Sequence, residues 1–210
     1  MRFGRARLLT SLCALLLVTS TAPGGTLNVS HLPNNGLTSS GASIFMDLTD
    51  LTGAGLNVTR FTTYASSLPG ANWMVDVYTR PGSYVGFDGS SAGWTLHTTV
   101  NATSDGTTTQ APLDLGSAVI PVPANATTGV YLVAVAGGLR YNGTAGLPPI
   151  TTWENAELRM FSNVARSAAF GGTRFLGRTF AGTIEYTPIP EPAGLGALAA
   201  GMILVLRRRG

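Results

Sequence analysis

From Thr26 to Thr187 apolar and polar residues alternate with period two, and turn-forming residues interrupt the pattern roughly every eight to twelve positions. An extended chain points successive side chains to opposite faces, so a stretch of this kind buries one face and wets the other. No window carries sustained apolar spacing at three and four, which removes helix as the main element. The expected strands are TLNVSH (26–31), SIFMDLTD (43–50), GLNVTRFTTYA (55–65), ANWMVDVYTR (71–80), GWTLHTTV (93–100), SAVIPVP (117–123), GVYLVAVAGG (129–138), AELRMF (156–161) and AGTIEYT (181–187). In 43–50, Ile44, Met46 and Leu48 should share one face. In 71–80, Trp73, Val75 and Val77 should oppose Met74, Asp76 and Tyr78. Apolar on both faces, 129–138 is the candidate for the most buried strand. Ser66 to Gly70 ends in a Pro-Gly turn signal, and the prolines of 117–123 suit a sheet edge. The segment 25–187 is therefore expected to be all-β, a two-sheet antiparallel sandwich with jelly-roll-like connections.

Charged residues make up only 11% of the 210-residue chain, and every basic side chain is arginine. The formal charge of +3 is an end effect. Arg2, Arg5, Arg7 and Arg207 to Arg209 carry it, and between them the acids outnumber the arginines. A mildly acidic body has no basic patch for nucleic acid. At the front, those first arginines precede an apolar run, Leu8 to Val18, and small residues from Thr19 to Gly25. This is the pattern of a secretory signal peptide, expected as a helix within 1–24, with cleavage after Ser20, after Ala22 or near Gly24. The one cysteine, Cys13, lies in that run. The exported portion is thus expected to hold no thiol, disulfide or Cys-ligated metal.

The other end, 188–210, has three parts. Pro190-Glu191-Pro192 stops any strand or helix arriving from upstream. An uncharged apolar run, 193–206, follows, and Arg207, Arg208 and Arg209 close it. As a helix the run spans roughly 21 Å against a hydrocarbon core of about 30 Å. Snorkelling arginines lengthen a short span and mark its cytoplasmic end. These residues resemble the PEP-CTERM sorting signal of bacterial exported proteins, a tail also catalogued as an ice-binding-protein C-terminal domain. The resemblance implies a transmembrane helix, an exosortase-type protease as partner, and processing near Pro190, Glu191 and Pro192. A second resemblance covers most of 60–188. Val77-Tyr78, Gly82 to Phe87, Gly93-Trp94-Thr95, GVYLVAVAGGLRYNG and RTFAGTIEYTP are similar to a small extracellular module of bacterial secreted proteins. It implies architecture and no catalytic motif.

Signals that could carry chemistry have simpler readings beside them. Gly89-Ser90-Ser91-Ala92-Gly93 fits G-x-S-x-G, but the following WTLHTTV alternates as a strand where a nucleophile elbow needs a helix, so a glycine loop is expected. His31 and His97 belong to no metal-ligand motif. Asp47 and Asp50 could join a loop carbonyl around calcium, or serve as turn acids; no metal or cofactor is expected. Glu154 and Glu157 would need to face each other to act as a glycosidase pair. Tyr84, Phe87 and Trp94 border one loop, and Tyr141 and Trp153 another. Exposed together, the first three would form a stacking platform for sugar rings; buried, they would fill the core. No regular T-x-T array suggests an ice-binding face. The expected function is that of an exported, C-terminally sorted surface or extracellular-matrix protein without catalysis, structural or adhesive in role. The alternative is a carbohydrate-binding module for exopolysaccharide.

Overall fold

The computed structural model describes residues 23–29, 32–144 and 150–189. The expected signal helix, His31, the Pro190 to Pro192 motif, the apolar run 193–206 and Arg207 to Arg209 lie outside the described residues. Among the described residues the chain is all-β. Its strands are β1 (Gly25–Val29), β2 (Asn35–Leu37), β3 (Ser43–Asp50), β4 (Leu56–Thr63), β5 (Asn72–Pro81), β6 (Thr95–Thr103) and β7 (Ala111–Asp114). After them come β8 (Ile120–Val122), β9 (Thr127–Ala136), β10 (Leu139–Tyr141), β11 (Thr152–Glu154), β12 (Leu158–Ala168), β13 (Gly171–Leu176) and β14 (Gly182–Pro188).

Two large antiparallel sheets result. The smaller runs β1-β14-β4-β7, with β8 also on β4; the larger runs β11-β12-β3-β9-β5-β6, with β13 also on β12. β2 and β10 form a separate two-stranded ribbon. The first and last strands are neighbours, Gly25 opposite Tyr186 and Val29 opposite Gly182. Sequence alternation decides which side chains meet between the sheets. Ile44, Met46 and Leu48 of β3, Trp73, Val75 and Val77 of β5, and Val130, Leu132 and Ala134 of β9 lie in one core with Val58 and Phe61 of β4 and Ile184 and Tyr186 of β14. This is a β-sandwich-like arrangement. The Trp73 indole, fully buried, donates through Nε1 to the Gly138 carbonyl at 2.9 Å, so its one polar atom is satisfied. The Pro-Gly turn forms as expected. The Ala71 N–H donates to the Leu68 carbonyl at 3.2 Å, with Gly70 at φ 81° as a type II turn requires.

Departures from the sequence expectation have local causes. The strand expected at 156–161 continues to Ala168, because a bulge between Phe161 and Val164 absorbs Ser162 and Asn163, the residues that broke the alternation. Neither β2 nor β13 was expected: Asn35-Gly36 and Gly171-Gly172 read as turns, and both strands are short and poorly buried. β7 was hidden by Pro112, which its edge position tolerates.

A second cluster lies on the opposite face of the larger sheet. Phe45 of β3, Tyr131 and Val133 of β9, and Val164 of β12 are buried there with Tyr84, and Tyr78, Trp94, Phe161 and Phe170 pack against them. An antiparallel sheet ordinarily turns this side to water. Here β3 and β9 are apolar on both sides, so 129–138 does sit at the sheet centre, though β3 beside it is equally enclosed.

Candidate functional site

The outer cluster is closed by the glycine loop 82–94, which leaves β5 at Pro81 and returns as β6. Its entry is fixed by a row of three residues across the sheet, Asp47, Gly129 and Arg80, paired in register from β3 to β9 to β5. Gly129 provides the space. A Cβ there would stand 2.8 Å from Arg80 Cγ and 2.9 Å from the Gly82 carbonyl oxygen. The Arg80 guanidinium therefore lies over the Phe87 ring, 3.4 Å from its centroid, and donates to the Ser83 carbonyl. On the other side of Gly129, Asp47 accepts from Ser83 Oγ at 2.5 Å and from the Tyr84 N–H at 2.7 Å.

Tyr84 then enters the cluster. Its ring stacks between Phe45 (centroids 5.6 Å apart) and Phe161 (5.8 Å), and its hydroxyl accepts from the Asn163 N–H at 3.0 Å. Phe45 in turn stacks on Tyr131 at 3.8 Å. Beyond Phe87, Asp88 is the second anchor. It receives Arg166 of β12 at 3.1 Å and Arg174 of β13 at 2.6 Å. Those arginines are directly paired across the β12–β13 hairpin, where like charges repel unless an anion lies between them. Trp94 closes the loop, its Nε1 donating to the Phe87 carbonyl at 2.9 Å.

The three loop aromatics divide between the two readings, core and stacking platform. Tyr84 is 1% exposed and offers no ring face to a ligand. Phe87 is 44% exposed with one face covered by Arg80, and Trp94 is half-buried against Phe45 and Tyr131, each 5.7 Å away. Tyr141 is likewise interior.

The three loop-binding and turn acids respond differently to their surroundings. Burial pushes the Asp47 carboxyl above its ordinary value, and the Ser83, Tyr84 and Arg80 contacts only partly offset it. Burial also acts on Asp88, but the bond and charge of Arg174, then those of Arg166, outweigh it and hold the carboxyl low. Asp50 is held low against desolvation by the Thr52 hydroxyl and the amides of Asn125, Thr52 and Gly53. A depressed group stabilises the fold above its unfolded pKa and loses that contribution as pH falls through the folded value; a raised group does the reverse. Unfolding monitored from pH 7 down to pH 2 should therefore show stability falling below about pH 4 through Asp50 and Asp88. Asp47→Asn should match or exceed the parent at pH 7, because the amide keeps an acceptor for Tyr84 without a buried charge. A loss above about 2 kcal/mol at pH 7 would refute this account of Asp47.

The remaining candidates are held apart or already engaged. His97 turns Nε2 to the carbonyls of Ala118 at 2.9 Å and Val119 at 3.2 Å, while Ser91 is exposed, and no hydrogen bond joins the two. Asp47 and Asp50, three apart on β3, bond to different loops, Asp50 to Thr52, Gly53 and Asn125. Glu154 pairs with Arg159 at 2.6 Å and Glu157 accepts from the Tyr186 hydroxyl at 2.9 Å. Sequence reasoning missed the Asp88–Arg166–Arg174 cluster. Its signal was present as two arginines placed symmetrically about Ala169 to Gly171. Comparison with protein-family models and with curated proteins found no match.

Proposed function

We propose that this chain is an exported, C-terminally sorted surface or extracellular-matrix protein whose jelly-roll-like sandwich is structural or adhesive and performs no catalysis. The observation that carries the reading is the fate of the polar side chains in the folded segment. Asp47, Asp50 and Asp88 bind loops to sheets, Asp114 and Glu185 hold Arg60, and His97 caps backbone carbonyls. These groups are spent on rigidity, which suits a domain that must last outside the cell without disulfides. The signal-like front and the Pro-Glu-Pro, apolar, arginine tail supply the address. Fractionation of the native host with mass spectrometry of the mature C-terminus tests it. Loss of residues beyond the Pro190 to Pro192 region, on surface or extracellular protein, is expected. Intact Arg207 to Arg209 on a soluble cytoplasmic protein would defeat the sorting assignment.

A second reading, exopolysaccharide binding, rests on Phe87, which stays 44% exposed although Arg80 covers one face of its ring. Glycan-array binding abolished by Phe87→Ala would favour it over a purely structural role.

A further inference from the structure

A concave site lies between the end of β5 in the larger sheet and β8 in the smaller one. It is a cavity of about 430 Å³, inside the range of about 300–1,000 Å³ in which proteins hold small molecules. The rings of Pro81, Pro121 and Pro123, with Ile120, form apolar walls, and Thr79 and His97 stand among them. His97 is brought there by a bulge. In the β5–β6 ladder Thr98 pairs with Val77 and Leu96 with Tyr78, so His97 is the extra residue, taken out of the strand's alternation. Its Nε2 meets two acceptors, the carbonyls of Ala118 and Val119, and therefore carries the proton. Nδ1 of the neutral ring is then an acceptor. Among the described residues neither Nδ1 nor the Thr79 hydroxyl has a hydrogen-bond partner, and both atoms reach solvent. The other polar groups at the wall are engaged. Thr127 and Thr128 bond through their hydroxyls to Thr49 Oγ1 at 2.8 Å and to the Pro121 carbonyl at 2.9 Å. Arg80 sets its guanidinium over Phe87 and on the Ser83 carbonyl, and no carboxylate borders the space.

We propose that this cavity binds a neutral sugar residue. A pyranose has an apolar C–H face, which suits the proline rings, and an edge of hydroxyls that donate and accept. Thr79 Oγ1 can do both and His97 Nδ1 accepts, so the two open groups match that edge. A ligand carrying charge would find no free counter-charge on the wall, and a wholly apolar one would strip water from both groups without replacing it. The site is distinct from the exposed ring of Phe87 and does not depend on the export assignment.

Saturation-transfer NMR on the full chain, with methyl glycosides of the neutral hexoses as probes, tests this. At least one glycoside should bind with a Kd on the order of 1 mM. Thr79→Val keeps the side-chain shape, removes the hydroxyl, and should weaken binding about fivefold. Ala126→Phe, at the wall of the same cavity, should fill the space and abolish binding while the thermal midpoint stays unchanged. Phe87→Ala should leave binding as it was, which separates this site from the reading that rests on Phe87. Indole is the comparison probe, an apolar ring without hydroxyls. No transfer to any glycoside at about 20 mM would overturn the proposal. Binding that survives Ala126→Phe or is unaffected by Thr79→Val, or indole held more tightly than every sugar, would overturn it as well.

Discussion

Replacing Gly182 with alanine should cost about 4 kcal/mol or more, enough to unfold a domain of ordinary stability. Gly182 begins β14 opposite Thr63, with φ at 150°, a backbone region almost confined to glycine. A Cβ there would stand 2.0 Å from the Thr62 carbonyl oxygen. That oxygen belongs to backbone and cannot swing aside, so the ladder between β14 and β4 must open. The adjoining bond from Thr63 Oγ1 to the Ala181 carbonyl at 2.7 Å would go with it. Denaturant unfolding measures the loss. Gly70→Ala is the control: its φ is also positive but an added Cβ meets nothing within 4 Å, so about 1 kcal/mol is expected. Equal losses for the two variants would show that the close approach at Gly182 is not what constrains it.

The second large effect is expected at Asp88. Its alanine variant leaves Arg166, whose side chain is 12% exposed, facing Arg174 with no anion between them. Removing one partner of a buried ion pair costs about 3–5 kcal/mol because a desolvated charge remains. The loop 82–94 should then lift at Asp88 while Asp47 still holds its start, and the fluorescence of Trp94 should move to longer wavelength before global unfolding. Adding Arg166→Met to Asp88→Ala should recover a large part of the stability, since it removes the stranded guanidinium. No recovery would mean that the loop, and not the stranded charge, accounts for the cost.

The central strands were legible because alternation reports burial directly. Ile44, Met46 and Leu48 and their counterparts on β5 point inward as the pattern dictates. What alternation cannot report is a second apolar layer on the far side of the same sheet. Phe45, Tyr78 and Tyr131 occupy positions that ordinarily face water, and their burial depends on a loop more than thirty residues from Phe45 in sequence. For the same reason the aromatic trio of the loop split on folding, Tyr84 inward and Phe87 outward, although they stand three residues apart. The anchors were invisible for a different reason. Asp47 with Ser83, and Asp88 with Arg166 and Arg174, are long-range pairs between ordinary residue types, and no spacing rule joins them.

The pairing of β1 with β14 has a mechanical consequence. Because Gly25 lies opposite Tyr186, the folded segment begins and ends at the same pole. Traction between those two points would peel the pair apart one rung at a time, the weakest loading geometry for a ladder. A load applied at the C-terminal end of β14 would instead pass sideways into β1 and β4, the two strands it is hydrogen-bonded between.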